Sequence, residues 1–285
     1  MSISGDLKPV ITGRLATRLQ WLRGNVMQYF ALFRRKPRGA ATPAWRVTRS
    51  LAVGAAVAMA VVVAAMLLVD ASAIVATKRL PESLVVTFDR ITDFGKSVRI
   101  LVPVALLLAA IAALASPALT HMSRGVLAAI AVRLGFLFAA IGLPGLVVTI
   151  VKRLIGRARP LVEGAADPFL YRPLGWSVQY ASLPSGHATD AFAIAAAIGA
   201  LWPRTRLVMW SYALLIAASR VVLTAHFPSD VVAGAVVGTV GVLIVRDWFA
   251  ARGLAFSLAP DGTVRPLPGP SLARIRKVAR QVLAS

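Results

Sequence analysis

The chain has 285 residues, 58% of them hydrophobic, with a mean hydropathy of +0.75 and no cysteine. Such a balance excludes an ordinary soluble domain and marks an integral membrane protein; without thiols, disulfides and thiolate metal sites are excluded too. The formal net charge is +21, but the basic residues flank apolar stretches, where anionic lipid headgroups rather than nucleic acid are the nearer partner.

Residues 1–50 hold ten Lys or Arg against one acid, Asp6, and are expected to remain in the cytoplasm. Leu15, Leu19, Leu22, Val26, Phe30 and Phe33 recur at helical spacing with Arg14, Arg18 and Arg23 between them. That pattern predicts a helix lying along a membrane surface or against the protein's own cytoplasmic face. Residues 51–69 are nineteen without a charge, close to the roughly twenty needed to cross a bilayer. Ala71-Ser72-Ala73 resembles a signal-peptidase site, but so long a leader and apolar run fit cleavage poorly. Residues 78–99 read as an external connection with a short interfacial helix and a stop at Thr92-Asp93-Phe94-Gly95.

A second span is predicted over 100–115, closed by Ser116-Pro117 and a short loop holding His121 and Arg124. A third covers 128–150, with Arg133 snorkelling near its start and a bend at Gly142 and Pro144. A loop over 153–183 precedes a fourth span over 184–202. Arg204 and Arg206 mark a tight turn, and the fifth and sixth spans cover 207–219 and 231–245. In the basic tail, 246–285, Leu272, Ile275, Val278 and Val282 mark a second surface helix. The expected architecture is all-α: a polytopic six-helix transmembrane bundle over 51–245 with basic cytoplasmic termini.

Three polar islands interrupt this pattern. Lys152, Arg159 and Pro160 form K-x6-R-P; Pro184, Ser185, Gly186 and His187 form P-S-G-H; Ser219, Arg220, His226 and Asp230 form S-R-x5-H-x3-D. Such residues suit attack on a phosphate ester. A neutral imidazole can displace an alkoxide from phosphorus if a carboxylate orients its ring, a second imidazole protonates the leaving oxygen, and fixed cations spread the charge of the equatorial oxygens. Pro184 and Pro228 suit the first position of a helix, which leaves the N–H groups of Ser185, Gly186 and His187 to face an anion. Asp230 falls in a first helical turn and can reach back to His226. Arg153 and Arg157 read as positive flanks of a membrane span. Asp190, one turn after His187, is a candidate for binding a substrate hydroxyl, for tuning that imidazole, or for pairing with a loop arginine. The carboxylates of Asp89, Asp93, Glu163 and Asp167 are scattered, and neither a metal nor another cofactor is implied.

The islands resemble the three signature motifs of the type 2 phosphatidic acid phosphatase (PAP2) superfamily, every fixed position being present in order across residues 152–230. The resemblance implies a metal-independent lipid phosphate phosphatase of the bacterial inner membrane. In it His226 would take up the phosphoryl group, Asp230 would orient its ring and His187 would serve as general acid. Lys152, Arg159, Ser185, Gly186 and Arg220 would hold the phosphate oxygens. Residue types by themselves distinguish the two histidines only in that His226 has a carboxylate so near in sequence. Bacterial members of the family act on phosphatidylglycerophosphate, undecaprenyl diphosphate, phosphatidate and the phosphates of lipid A. A lipid phosphotransferase would show the same islands, and a membrane scaffold or transporter with a vestigial site is the non-enzymatic alternative.

Six spans would bring all three islands to one face. The opposite face would carry twenty of the thirty-two Lys and Arg, and the island face eleven. The positive-inside bias therefore puts the islands outside the cytoplasm, in the periplasm of a Gram-negative cell, and both termini inside. Only thirteen uncharged residues separate Arg206 from Arg220, about 20 Å of helix against roughly 30 Å of hydrocarbon. Arg220 is thus expected at or slightly below the outer headgroup plane.

Overall fold

The apolar helices of this chain carry few polar residues, so side-chain size decides which faces meet. The computed structural model describes residues 20–28, 31–37, 44–116 and 119–283. After a helical stretch at 20–28 come α1 (Ala44–Leu68), α2 (Asp70–Thr77), α3 (Glu82–Thr92), α4 (Val98–Leu114), α5 (His121–Ile155), α6 (Gly186–Leu201), α7 (Arg206–Val222) and α8 (Pro228–Ala251). An antiparallel hairpin of β1 (Phe256–Leu258) and β2 (Val264–Pro266) follows, and then α9 (Leu272–Leu283).

The central helix is α6, whose buried face is mostly alanine and which packs against α5, α7 and α8. Its approach to α8 requires glycine. A Cβ on Gly234 would stand 2.5 Å from the Ser185 carbonyl oxygen, and one on Gly238 would stand 2.4 Å from that of Thr189. Small residues spaced four apart let two backbones meet where lipid supplies no hydrophobic drive for helices to associate. Bulky side chains turn outward instead: Leu207 is 81% exposed and Leu68 77%.

Among the described residues, four helical runs are long and apolar enough to cross a membrane: Glu82–Leu114, His121–Ile155, Pro203–Val222 and Pro228–Ala251. The pair Ala52–Leu68 and Asp70–Thr77, bent by 54°, makes a fifth if counted as one span, and α6 is a shorter apolar helix of 16 residues.

Several boundaries differ from expectation. The third predicted span begins at His121, where the Thr120 hydroxyl accepts from the Ser123 N–H, and runs 35 residues through Gly142 and Pro144. Arg133 is therefore interior to a helix. Its guanidinium donates to the carbonyls of Ala129 (2.8 Å), Leu267 (2.9 Å) and Pro268 (2.8 Å), tying the tail to α5 instead of snorkelling. The all-α expectation misses the hairpin, whose three-residue strands are too short to show an alternating pattern.

Of the N-terminal stripe, Leu15, Leu19 and Phe30 lie outside the described residues. In the described part, Asn25 Nδ2 donates to the carbonyls of Ala112 (2.9 Å) and Ala115 (2.7 Å) at the end of α4, and Phe33 meets Phe249 edge-on at 5.6 Å. This segment thus packs on the protein itself. The predicted tail helix forms as α9, with Val278 buried against the ends of α4 and α5.

Candidate active site

Four helix ends supply the site: the last turns of α5 and α7 and the first turns of α6 and α8. Between α5 and α6 the chain doubles back through Gly156, whose φ of +65° only glycine adopts freely. A Cβ there would stand 1.9 Å from the Arg172 carbonyl oxygen. Backbone bonds from Ala158 to Leu170, from Arg159 to Gln179 and from Ser182 to Arg157 then align Arg157, Arg159 and Ser182.

After α7 the chain folds back on itself. The N–H groups of Ala225 and His226 both donate to the Arg220 carbonyl, at 3.0 and 3.2 Å. Phe227 caps α8 with Pro228 first in the helix, as expected, and Asp230 Oδ2 accepts from the Phe227 N–H at 2.9 Å. Pro184 does not match its expectation. The N-cap of α6 is Ser185, so Pro184 lies one residue before the cap, and the Ser185 N–H donates to the Asp230 carbonyl at 2.9 Å instead of facing an anion. That bond fastens the start of α6 to the start of α8.

The third island gathers as its spacing suggests. His226 is 3% exposed, with Nδ1 at 3.6 Å from Asp230 Oδ2 and 3.4 Å from Ser182 Oγ. The first separation exceeds a hydrogen bond, while Ser182 Oγ donates to the same carboxylate oxygen at 2.6 Å. The Nδ1 edge faces the carboxylate and hydroxyl, which leaves Nε2 on the other edge of the ring. Burial, against the pull of Asp230, holds the imidazole below its ordinary range, so the ring is neutral at neutral pH.

The charges of Arg159 and Arg220 act on both His226 and His187. Arg220 is 7% exposed, and one terminal nitrogen donates to Thr92 Oγ1 at 2.6 Å. Burial lowers the Arg159 guanidinium from its usual value without neutralising it. Arg159 Nε, Arg220 Nε and Ser185 Oγ are all buried without a hydrogen-bond partner in the protein. Gly186 has open space where a Cβ would stand. Lys152, Gly186, His187 and Asp190 line a cleft of about 400 Å³. Asp190 Oδ2 accepts the Ser97 N–H at 3.1 Å, capping the start of α4, and Lys152 is near enough to feel its charge.

Arg157 is the clearest departure from expectation. Read as a membrane flank, it is wholly buried and bridges two carboxylates, Asp230 Oδ1 at 2.5 Å and Asp70 Oδ2 at 2.7 Å. It also donates to Ser229 Oγ (2.7 Å) and the Pro168 carbonyl (2.9 Å). Desolvation would lower its pKa, but Asp230 and Asp70 raise it above the usual value. Asp70, at the bend between α1 and α2, in turn accepts the Ser229 N–H at 2.9 Å and its hydroxyl at 2.5 Å. Asp70, Arg157, Ser182 and Ser229 were all missed. The available signal was Asp70 itself, the first acid after Asp6 and the residue that ends an uncharged run.

Helix ends thus bring two imidazoles, a carboxylate and guanidiniums with open donors together in a mostly apolar helical protein. Residues 133–254 match the PAP2 superfamily. Over 127 residues the chain is 39% identical to "Lipid A 1-phosphatase" of Rhizobium johnstonii and to the protein of that name from Rhizobium etli. The alignments cover 45% of this chain and 52% and 55% of those proteins. The chain therefore spans about half the length of the curated relatives it matches. Among solved structures, the crystal structure of Aquifex aeolicus LpxE superposes with a TM-score of 0.43 at 22% identity, covering 59% of this chain and 88% of that one.

Proposed function

We propose that this protein is a metal-independent membrane lipid phosphatase working through a phosphohistidine at His226. The observation that carries the reading is the set of open buried donors, Arg159 Nε, Ser185 Oγ and Arg220 Nε, in the same site as a neutral imidazole turned by its Nδ1 edge toward Asp230. Those donors match the equatorial oxygens of a phosphoryl group, and two guanidiniums suit its charge and planar forks.

His226 Nε2 attacks phosphorus while the bond from phosphorus to the lipid oxygen breaks. The leaving oxygen keeps the electron pair and takes a proton from His187. A bound phosphate brings negative charge beside His187, Arg159 and Arg220, which favours the imidazolium needed for that transfer. Water then gives a proton to His187 and attacks the phosphohistidine, releasing orthophosphate and restoring His226.

The six-span arrangement completes the reading, with the bent α1–α2 pair and the short α6 crossing beside the four longer runs. Both termini lie in the cytoplasm and the site at the outer headgroup level of the inner membrane, which the distribution of Lys and Arg supports. Residues 1–50, 51–245 and 246–285 then serve as basic segment, catalytic domain and basic tail. As substrate we favour the anomeric phosphate of lipid A, on the strength of the relatives' name, with phosphatidylglycerophosphate, undecaprenyl diphosphate and phosphatidate as competitors.

Incubating the purified protein with each of these lipids and a chelator tests the proposal. Orthophosphate release from at least one, lipid A first, is expected to persist without divalent metal. Inactivity toward all four, or strict dependence on Mg²⁺, overturns it. Adding an acceptor lipid identifies a phosphotransferase, because phosphate then appears on that lipid instead of in solution.

A further inference from the structure

Asp230 has two carboxylate oxygens, and its surroundings divide them. Oδ1 receives Arg157 at 2.5 Å, while Oδ2 receives the Ser182 hydroxyl at 2.6 Å, the Phe227 N–H at 2.9 Å and faces His226 Nδ1 at 3.6 Å. Arg157 is itself clamped. Its second terminal nitrogen reaches Asp70 at 2.7 Å, its Nε reaches the Pro168 carbonyl at 2.9 Å, and its guanidinium lies 4.5 Å from the centre of the Phe227 ring. Asp70 is held by Ser229 through two further bonds. The result is a closed circuit of α2, the loop after α5 and the first turn of α8, buried throughout.

Buried charge clusters are poor devices for stability, because desolvating the ions offsets most of their attraction. They are good devices for fixing an orientation. We propose that Arg157 and Asp70 are positioning residues for His226: Arg157 fixes the rotation of the Asp230 carboxylate, and Asp70 both holds Arg157 and balances its charge. The inference rests on the phosphatase reading given above.

The charges that act on His226 are Asp230 from α8, Arg159 from the loop, Arg220 from α7 and His187 from α6. Behind Asp230 stand Arg157, Asp70 and the neutral phenol of Tyr171. The circuit of Asp70, Arg157 and Asp230 carries one net negative charge, which favours a proton on His226. Removing Asp70 leaves it neutral; removing the Arg157 charge leaves it doubly negative.

The test is the pH profile of orthophosphate release in the wild type, Asp70→Asn, Arg157→Gln and Arg157→Lys, with His226→Ala as the blank. Asp70→Asn is expected to move the acid limb of kcat/KM about one unit to lower pH, and Arg157→Gln about one unit higher. Arg157→Lys keeps the charge but loses the fork, so kcat falls about tenfold with KM and the acid limb unmoved. Limbs that stay in place, or shift together, reduce the circuit to a structural staple and overturn the inference. Should the two charge variants fail to fold, Arg157→Lys decides alone, because an unchanged kcat overturns it. No release by the wild type at any pH sinks the phosphatase reading and this inference together, whereas release with unmoved limbs sinks the inference alone.

Discussion

Arginines that are at least half-buried stand in two separate regions of this molecule, and the regions treat them differently. Among the tail and the later turns of the core, Arg133 donates to three carbonyls, and Arg252 lies 3.8 Å from the centre of the Trp248 ring while donating to the Trp248 carbonyl at 3.1 Å. Where the four helix ends meet, Arg159 and Arg220 keep Nε unpartnered beside two imidazoles and Ser185. Arg252 Nε lacks a partner too, but its guanidinium lies against the Trp248 ring, and among the described residues it makes no ion pair with a carboxylate. An open donor points to a ligand when reactive groups share its surroundings, and otherwise marks only a packed side chain.

The largest effect that would sharpen this contrast belongs to Arg220. Arg220→Ala removes a charge that the proposed mechanism places against the phosphoryl oxygens, while Thr92 loses one bond, so kcat/KM should fall by about 10²–10³ with little change in melting temperature. Arg159→Ala should behave alike. An unaltered kcat/KM in either variant would mean that these guanidiniums are packing residues like Arg252, and the distinction between the regions would disappear.

A second test acts on the join between α6 and α8. In Gly238→Ala the new methyl would meet the Thr189 carbonyl oxygen at 2.4 Å, and that oxygen is backbone, so the helices must separate. A loss of about 1–3 kcal/mol is expected in thermal denaturation in detergent. Because His187 opens α6 and His226 precedes α8, kcat should fall further than the fraction folded. Activity that tracked the folded fraction alone would show that the site tolerates a wider gap between these helices.

The site was far more legible in sequence than the way the chain supports it. His187, His226, Asp230, Arg159 and Arg220 lie near enough to act on one another, and the motif spacing that singled them out is a property of the linear chain. The missed residues act across distance: Asp70 is separated from Ser229 by 159 positions, and Arg157 from Asp230 by 73. No periodicity carries such a pairing. An arginine after a membrane span resembles every other positive flank until a carboxylate is found against it. The error over Pro184 was local, since the residue that caps α6 is the serine after it. The boundaries of α5 failed because Thr120 and Ser123 form a cap ahead of the apolar run, so the helix starts before its hydrophobic stretch.

The smallest expected effect comes from Arg133. Its removal in Arg133→Met keeps the stem that packs along α5 but leaves the carbonyls of Leu267 and Pro268 without their donor. Both carbonyls lie in exposed residues, where water replaces the lost bonds in part, so the stability loss should be about 1 kcal/mol. Phosphate release per folded molecule should be unchanged, because the tail that Arg133 tethers begins after the last helix of the site. Limited proteolysis gives the more sensitive readout: cleavage around residues 259–271 should quicken while the core fragment persists. A fall in kcat without faster cleavage of the tail would instead mean that Arg133 communicates along α5 with Lys152, and the two regions would no longer be independent.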